Sequence, residues 1–480
     1  MTASTDDSST DAILIESSGE YDVDLAVIGS GGAAMAAGIT ARKAGRSVVL
    51  IERGTLGGTC VNVGCVPSKT LLAAAGHRHA ALTNPFAGAP TSASRVDLGA
   101  LVAQKDELIH RLREHKYAEV AEAWDFPVMA GEARFTDGEV LTVDGKPLRA
   151  RAYVIASGSQ PSVAGISGVE DVEYLTSTTA MDLDALPESL VVVGGGYVGM
   201  EQAQLFAHLG AKVTIVGRLA PKAEDELRDV MAEVFSEDGI TVIEHRALSV
   251  RTTDDGQVMV TAADGSEVTA QRLLVATGRR SETDAMNLAG AGVETDERGF
   301  IRIDAHQRTS NPRVFAAGDV AGTPQFVYVA AASGRVAASN ALDETPDGAQ
   351  GSVDYTGMPA VTFTRPQLAS AGLTEHQAIE QGYSCACRTL SLEDVPRALV
   401  NRDTRGAIKV IADALTGRVL GVHAVADGAG EIMLAATYAI KSGMTVDDLA
   451  DTWAPYLTTS ESLRLAAGLF RGDMPTSCCA

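Results

Sequence analysis

The sequence predicts an α/β protein: two parallel βαβ units of one design, the second inserted into the domain that contains the first, followed by a C-terminal α+β domain. Three observations support this fold class. A strand, a glycine-rich turn, a helix and a second strand follow one another at residues 24–52, and the same order recurs at 190–217. A Gly/Pro/Asp-rich linker at 344–354 then precedes a region of short strands and helices. Strands connected through a helix in this way form parallel sheets.

The composition is that of an ordinary globular protein, with 45% hydrophobic and 21% charged residues in 480. Asp and Glu number 62 against 39 Lys and Arg, and the resulting net charge of −23 argues against nucleic acid or an anionic membrane surface as a partner. Residues 1–20 contain no Lys or Arg and have one short apolar run, so they are predicted to be a disordered acidic leader and not a signal peptide. We therefore expect a cytoplasmic protein.

The first βαβ unit has the pattern of a dinucleotide site. After the strand 24–28, Gly29 makes a tight turn and Gly31 lets a pyrophosphate approach the N-terminus of the next helix, whose unpaired N–H groups face it. Ala34 allows the helix to pack closely on the strand. The second strand ends at Glu52, which is an acceptor for a ribose 2′-hydroxyl. This unit therefore fits the adenosine of FAD or NAD, and beside the second unit it looks like the FAD site.

The second unit repeats the pattern with a different ending. Gly194, Gly196 and Gly199 occupy the three glycine-loop positions, but the position equivalent to Glu52 is Gly217, followed by Arg218. An acid there would repel a ribose 2′-phosphate, whereas an arginine would bind it, so this unit fits NADPH. The alternative for the arginine is a solvated loop charge.

The remaining elements follow in order. Segments 141–150 and 151–161 are predicted β-rich connections, 273–280 a matching strand after the second unit, and 311–340 a strand that leads into a helix. Strands at 407–413 and 420–425 belong to the C-terminal region. The predicted domains are an FAD-binding domain at 21–160 and 283–350, an NADPH-binding domain at 161–282, and a dimerisation domain at 351–480.

The six cysteines form three close pairs, of which the first follows the FAD loop. Cys60 and Cys65 lie in the segment GTCVNVGCVPSK, one loop away from the predicted phosphate site, where a thiol pair is suited to exchanging two electrons with a flavin. Five residues span about 8–9 Å between Cα atoms in an ideal helix, but a disulfide needs less than about 7 Å. The helix is therefore expected to be distorted, at Gly64 or Pro67. Two structural thiols are the alternative.

This segment, the two glycine loops and the ATG and AAGD motifs resemble the flavin disulfide reductase family, over nearly the whole chain after the leader. The resemblance implies that Cys65 is the thiolate next to the flavin and Cys60 the exchanging thiol. It implies that Lys69 lies near the flavin N5, paired with Glu201. Tyr197 would gate the nicotinamide, and Asp319 would bind the ribityl-pyrophosphate part of FAD. Other positions at which family members contact FAD are Ala34, Gly54, Thr59, Ala133 and Val327.

The C-terminal region departs from the disulfide-reducing members of the family. Those members have a His five residues before a Glu, and alignment on Glu461 places Tyr456 at that position. A phenol with a pKa near 10 is a poor proton shuttle at neutral pH. The chain also ends in a vicinal pair, Cys478–Cys479, which forms only a strained disulfide and suits a soft metal ion. An incidental tail sequence is the alternative reading of that pair.

Together these features resemble the mercuric reductase branch of the family. The resemblance implies a homodimer whose active sites use both subunits. The tail cysteines of one chain would pass Hg(II), the substrate, to Cys60 and Cys65 of the other, and NADPH and FAD would supply two electrons. Tyr197 and Tyr456 would help to position the metal. Many members carry an N-terminal metal-trafficking domain, whereas only the acidic leader is expected here. This chain is therefore expected to receive Hg(II) directly, as small-thiol complexes.

Two other functions stay open at this point: a reductase of an organic disulfide of the dihydrolipoamide or glutathione type, and a metal-sequestering protein with a vestigial redox pair. The third cysteine pair, Cys385 and Cys387, falls on one side of a predicted strand and is expected to be structural. His77 and His79 have a metal-like spacing, but we expect them to be surface residues of a helix.

Overall fold

The structure is a computed structural model that describes residues 20–137, 140–163, 165–342 and 351–472. Residues 1–19 of the predicted leader and the tail pair Cys478–Cys479 lie outside the described residues. The chain divides into two compact units, and each is made from three segments. The first unit comprises 1–66, 106–160 and 279–353, and the second comprises 67–105, 161–278 and 354–480.

The α-helices are α1 (Gly32–Lys43), α2 (Gly58–Asn62), α3 (Cys65–Leu82), α4 (Leu98–Arg113), α5 (Glu119–Ala123), α6 (Tyr197–Leu209), α7 (Asp225–Glu237), α8 (Val327–Leu342), α9 (Glu375–Glu380), α10 (Pro396–Asn401), α11 (Ala429–Ser442), α12 (Val446–Asp451) and α13 (Glu461–Gly468).

The strands are β1 (Val23–Ile28), β2 (Val48–Glu52), β3 (Val128–Ala130), β4 (Ala133–Phe135), β5 (Leu141–Val143), β6 (Lys146–Leu148), β7 (Ala150–Ile155), β8 (Ser159–Pro161), β9 (Ser189–Val193), β10 (Lys212–Val216), β11 (Thr241–Ile243), β12 (Ala247–Thr252), β13 (Val258–Ala262), β14 (Glu267–Ala270), β15 (Arg272–Val275), β16 (Arg279–Ser281), β17 (Val314–Ala316), β18 (Pro359–Thr362), β19 (Gln367–Gly372), β20 (Cys385–Ser391), β21 (Ala407–Asp413) and β22 (Val419–Ala426).

The first unit is built on a parallel sheet in the order β17-β7-β1-β2-β3. Its strands are near-continuous apolar runs because helices cover the sheet, as expected for a buried parallel sheet. Helices α1 and α8 pack so closely that a Cβ on Gly334 would lie 2.1 Å from the carbonyl oxygen of Ala33. The antiparallel ribbon β4-β5-β6 completes this unit.

The second unit contains a parallel sheet, β11-β10-β9-β15, and an antiparallel sheet, β12-β13-β14. It also contains the five-stranded antiparallel sheet β18-β19-β22-β21-β20, on which α11 packs. One hydrophobic cluster joins Leu205 and Phe206 of α6 to Leu71 of α3 and to Leu368 and Val425 of the five-stranded sheet. The two parallel sheets and the C-terminal α+β region confirm the predicted fold class.

Within the described ranges, no helix has both the length and the apolar character that crossing a membrane would require.

Candidate active site and nucleotide-binding loops

The first glycine loop connects β1 to α1 and has the backbone that the motif predicts. Gly29 has a φ of +114°, and a Cβ there would lie 2.4 Å from the carbonyl oxygen of Ala156. Gly31 is the N-cap of α1 and offers no side chain to cap the helix, so its first N–H groups are available to a ligand. Gly58 at the start of α2 approaches this loop closely, since its Cβ would lie 2.6 Å from the Cα of Gly31. The glycine loop and the cysteine segment are therefore neighbours.

Glu52 at the end of β2 is held by two hydrogen bonds. The Ser30 hydroxyl donates to its Oε2 at 2.6 Å, and the N–H of Gly54 donates to its Oε1 at 2.7 Å. The Ser30 oxygen in turn accepts the N–H of Gly57 at 3.0 Å. The predicted ribose acceptor is therefore oriented before a ligand binds, and Gly54 orients it through its backbone.

The helix that carries the two redox cysteines is interrupted, as predicted, but at one of the two expected places only. Helix α2 ends at Asn62 and α3 begins at Cys65, so the break falls at Val63–Gly64. Of the two positions that the sequence offers, the break uses Gly64. Helix α3 continues through Pro67, because a proline in the first turn of a helix removes no needed N–H group. Cys60 is half-buried in α2 and Cys65 is exposed at the start of α3.

Two side chains near the cysteines, Tyr117 and Tyr328, were given no role from the sequence. Tyr117 lies near both thiols, and burial, followed by their charges, raises the pKa of its phenol to about 12. Tyr328 lies near Cys65 and has a pKa raised to about 12, again mainly by burial. Tyr117 belongs to a π-helical turn, Glu114–Ala118, of a kind that is frequent at functional sites. Tyr117 and Tyr328 are distant from the cysteines in the chain, so no local motif marks them.

A buried polar group lies at the end of β17. Asp319 accepts a hydrogen bond from the Ser159 hydroxyl at 2.9 Å, and burial raises the pKa of this carboxyl above its usual range. The Arg279 guanidinium donates to the same hydroxyl at 2.8 Å. The hydroxyl of Ser157 is buried and has no hydrogen-bond partner in the described part of the chain. An unpaired buried hydroxyl beside the first glycine loop is what a bound cofactor would satisfy.

The other predicted FAD positions are spread over the first unit. Thr59 is the second residue of α2, Ala133 is buried at the start of β4, and Val327 is the first residue of α8. Val327 lies against the glycine loop, because a Cβ on Gly32 would be 3.2 Å from its side chain. Ala34 is fully buried in α1. These residues, the N-terminus of α1 without a side-chain cap at Gly31, and the Ser157 hydroxyl without a partner among the described residues fit FAD.

The second glycine loop, in the second unit, repeats this geometry. Gly194 has a φ of +113°, and a Cβ there would lie 2.4 Å from the carbonyl oxygen of Ala276. A Cβ on Gly199 would lie 1.8 Å from the carbonyl oxygen of Gly194. At Gly196, by contrast, a Cβ would meet no atom of the described residues within 4 Å, apart from its own helix and chain neighbours. The loop therefore leaves open space at the N-terminus of α6, which fits a pyrophosphate.

Two predicted NADPH contacts flank this loop. Tyr197 is the first residue of α6, and burial raises the pKa of its phenol. Arg218 follows β10 and has an exposed side chain, so both readings of this residue stand. A Cβ on Gly195 would lie only 2.3 Å from the carbonyl oxygen of Arg218. Gly195 is therefore also required in this loop, which the glycine spacing of the motif does not indicate.

The predicted pair of Lys69 and Glu201 is present, although the two residues are far apart in the chain. The Lys69 Nζ lies 2.7 Å from the Glu201 Oε2. The Glu201 side chain is 9% exposed, and its Oε1 accepts the N–H of Phe363 at 2.8 Å. The Phe363 ring lies under the Lys69 ammonium, with 4.8 Å from Nζ to the ring centroid. The lysine charge is thus held by a carboxylate and an aromatic face.

Tyr456 lies in an exposed turn, five residues before the buried Glu461. Arg464 lies 3.3 Å from the Glu461 Oε1, but its Oε2 is buried and has no partner among the described residues. The tail pair Cys478–Cys479 cannot be placed, since it lies outside the described ranges.

The third cysteine pair lies on the strand β20 and faces the small cluster of Ile411 and Leu420. Burial and the neighbouring Glu375 raise the pKa of Cys387 to about 12, so this thiol is protonated at neutral pH. This environment agrees with the structural role predicted for Cys385 and Cys387.

The expectation of surface histidines is wrong for His79. Its side chain is 14% exposed, and its ring stacks on that of His208 with centroids 3.7 Å apart. The His208 Nε2 lies 2.9 Å from the Asp238 Oδ2, and the His79 Nε2 lies 3.5 Å from the Oδ1. Because the two rings are nearly parallel, their in-plane lone pairs point side by side and do not converge on one point. This arrangement suits a packed hydrogen-bond network better than a shared metal ion.

Two sequence profiles match the chain. The pyridine nucleotide-disulphide oxidoreductase profile matches residues 23–334, and the dimerisation-domain profile of the same family matches residues 358–467.

Curated relatives cover almost the whole chain. A mercuric reductase of Streptomyces lividans is 52% identical and covers 95% of this chain and 98% of the relative. Mercuric reductases of Lysinibacillus sphaericus and Shigella flexneri are 46% and 44% identical, over 96% and 95% of this chain and 85% and 82% of their own lengths.

Solved structures agree with this. The HOCl-induced flavoprotein disulfide reductase RclA from Escherichia coli has a TM-score of 0.82 at 30% identity, and covers 93% of this chain and 99% of its own. LpdA from Mycobacterium tuberculosis has a TM-score of 0.81 at 28% identity, and covers 93% of this chain and 100% of its own. The profiles, the relatives and the two glycine loops with their redox segment lead to one conclusion: the chain belongs to the pyridine nucleotide-disulphide oxidoreductase family and, within it, to the mercuric reductases.

Proposed function

We propose that this chain catalyses the NADPH-dependent two-electron reduction of Hg(II) to Hg(0), with FAD and the Cys60–Cys65 dithiol. The observation that carries this proposal is the 52% identity to a mercuric reductase over 95% of the chain. When bound, NADPH and FAD supply the two electrons that the metal takes up. The domain assignment that accompanies the proposal is FAD at 21–160 and 283–350, NADPH at 161–282, and dimerisation at 351–480.

In this proposal the chain's own residues hold the two cofactors through backbone groups. The N-termini of α1 and α6 offer N–H groups at Gly31 and Gly196, where no side chain blocks a pyrophosphate. Glu52 accepts from the FAD ribose, and Arg218 pairs with the 2′-phosphate of NADPH. Lys69, held by Glu201, keeps a positive charge beside the flavin.

Substrate handling falls to the cysteines, because thiolates are the preferred ligands of soft metal ions. Hg(II) held between the sulfurs of Cys60 and Cys65 takes up two electrons and leaves as Hg(0), and both thiolates are regenerated. The exposure of Cys65 and the partial burial of Cys60 support a pair that ligands can reach from one side.

Reduction of an organic disulfide is not favoured. It needs a group near the redox pair that takes up and returns a proton at neutral pH, and Tyr456 stands where related enzymes have a histidine.

We also propose that the chain acts as a homodimer, through the region that matches the dimerisation profile, with active sites that use both subunits. In this proposal the tail pair Cys478–Cys479 of one subunit accepts Hg(II) from small-thiol complexes and passes it to Cys60 and Cys65 of the other. A Cys478→Ala/Cys479→Ala variant should lose turnover mainly on Hg(II) carried by bulky thiols. Unchanged turnover on bulky complexes would exclude this role for the tail.

The proposal is tested by NADPH oxidation by the FAD-loaded protein in excess small thiol, with Hg(II), with oxidised glutathione, or with lipoamide. We expect Hg(II) alone to stimulate oxidation. Cys60→Ala and Cys65→Ala should abolish the stimulation, and the matched double variant Cys385→Ala/Cys387→Ala should retain it. Stimulation by a disulfide would favour the disulfide reductase, and stoichiometric Hg(II) binding without turnover would favour a sequestering protein.

A further inference from the structure

A lysine is almost completely buried in the second unit. Lys409, in the middle of β21, is 2% exposed. Its Nζ donates to the Glu224 Oε2 at 2.8 Å, to the Glu375 Oε2 at 2.7 Å and to the Glu226 Oε1 at 3.0 Å. We call Lys409 and these three carboxylates the lysine hub.

The lysine hub is fully paired, which is the condition under which a charge is tolerated away from water. Burial by itself disfavours the ammonium, but the hydrogen bonds to the three carboxylates outweigh it and raise the pKa of Lys409 above its usual range. The lysine therefore stays charged at any pH at which the protein works. Three separate backbone segments are tied to one atom: β21, the start of α7 and the start of α9.

Glu224 is the most constrained member of the hub. Its side chain is 7% exposed, one oxygen accepts from Lys409, and the other accepts the N–H of Glu375 at 2.8 Å. It is the residue that precedes α7, at the end of a loop that follows β10. With both oxygens engaged, Glu224 fixes the end of this loop to the C-terminal sheet.

The same loop and Tyr197 line one small cavity. A cavity of about 20 Å³ is lined by Tyr197, by residues 222–224 and by Leu227 of α7, and on its other side by Thr362, Ser370 and His423. A space of this size holds about one water molecule, and its lining offers several polar groups to bind it. A shift of the loop would therefore change the space next to the Tyr197 side chain.

We propose that Lys409 is a positioning residue for hydride transfer: through Glu224 it holds the 222–227 segment against Tyr197 and so sets the position of the phenol. This inference rests on the proposed function in one respect, namely that Tyr197 faces the nicotinamide. The hub itself touches none of the residues proposed to bind the pyrophosphate or the ribose of NADPH. Loss of the hub should therefore slow the hydride step and leave NADPH affinity nearly intact.

The test uses three variants of the FAD-loaded protein. Lys409→Met removes the ammonium and keeps most of the side-chain volume. Glu224→Gln keeps the shape and can keep the contact with the Glu375 N–H through its amide oxygen, but it then presents an NH2 donor to Lys409 and loses that bond. It covers the case in which Lys409→Met does not fold. The matched control is Lys105→Met, because Lys105 is also 2% exposed and paired with a carboxylate, that of Asp182, but lies away from the Tyr197 cavity.

Flavin reduction by NADPH is followed by stopped-flow absorbance without Hg(II), with thermal unfolding measured in parallel. We expect Lys409→Met to slow reduction at saturating NADPH by about 10-fold, and Glu224→Gln by a smaller factor, with the Kd for NADPH changed less than about threefold. Lys105→Met should lower the melting temperature, but its flavin should be reduced by NADPH at the wild-type rate.

Reduction at the wild-type rate in folded Lys409→Met or Glu224→Gln would overturn the proposal, and so would an equal slowing in Lys105→Met. Because no Hg(II) is present, either result is independent of whether the wild-type protein reduces mercury.

Discussion

At the scale of single residues, the environment of each cysteine decides what its thiol can do. Cys385 and Cys387 have a close spacing, as Cys60 and Cys65 do, but Cys387 hydrogen-bonds to the Glu375 carboxylate on a packed strand. Burial and this carboxylate raise the pKa of Cys387 to about 12, and burial also raises the pKa of Cys385. Only the thiolate form of a cysteine is a good nucleophile, so this pair should react slowly with electrophiles near neutral pH.

Alkylation by iodoacetamide, read by mass spectrometry of the labelled peptide, checks this prediction. Labelling of Cys387 in the native protein should be slow at pH 8 and should rise about tenfold per pH unit, because the thiolate fraction does. Glu375→Gln should speed the labelling at pH 8. The control is Glu380→Gln in the same helix, whose exposed carboxylate lies near His376. Labelling of wild-type Cys387 at the rate of a small-molecule thiol would contradict the prediction.

At the scale of elements, the second glycine loop contains two glycines that are needed for different reasons. A Cβ on Gly199 would collide with the carbonyl oxygen of Gly194, whereas a Cβ on Gly196 would meet nothing within 4 Å in the described part of the chain beyond its own helix and chain neighbours. Gly199 is therefore required by packing of α6 on its own loop. Gly196 is required only if a ligand approaches the backbone there.

The variants Gly199→Ala and Gly196→Ala separate these two reasons. Gly199→Ala should lower the free energy of unfolding by about 1–3 kcal/mol, because the backbone must move to admit the methyl group. Gly196→Ala should keep the wild-type melting temperature and weaken NADPH binding by about 10- to 100-fold, since it displaces charge-assisted hydrogen bonds to the pyrophosphate. Normal NADPH affinity in Gly196→Ala would show that the pyrophosphate binds elsewhere.

Elements with a local pattern could be predicted from the sequence, and those made by distant residues could not. Both βαβ units, the strands around them and the break at Gly64 follow from spacing and from glycine chemistry. Pro67, the other position offered for the break, does not interrupt α3 because it falls in the first turn, where a proline costs no hydrogen bond. Three features could not be predicted because their residues are far apart in the chain and only the fold brings them together. They are the approach of Tyr117 to the cysteines, the Ser159–Arg279 contact and the lysine hub.

At the scale of the whole molecule, acid stability should depend on the cluster of His79, His208 and Asp238. Burial, followed by the charge of His208, lowers the pKa of His79 to about 4. Burial opposes ionisation of Asp238, but hydrogen bonds from His208 and Gln204 lower the pKa of its carboxyl. Since His79 binds a proton more weakly in the folded than in the unfolded state, stability falls as the pH drops from about 6.5 towards 4. The Asp238 contribution is lost below about pH 4.

Thermal unfolding at pH 7 and at pH 5 checks this prediction. The melting temperature of the wild-type protein should be lower at pH 5, and His79→Gln should reduce the difference because it removes a group whose pKa is lower in the folded than in the unfolded state. The control is His376→Gln, at a position whose side chain is 82% exposed. If His79→Gln leaves the pH dependence of the wild type unchanged, the cluster is not its source.

The most direct test of the central claim measures both products of the reaction at once. FAD-loaded protein is supplied with Hg(II) in excess small thiol, and volatile Hg(0) swept from the solution is counted against the NADPH consumed. The account predicts one Hg(0) released per NADPH oxidised by the wild-type protein, and none above background by Cys60→Ala or Cys65→Ala. NADPH oxidation without release of Hg(0), or release of Hg(0) at the wild-type rate by either cysteine variant, would contradict it.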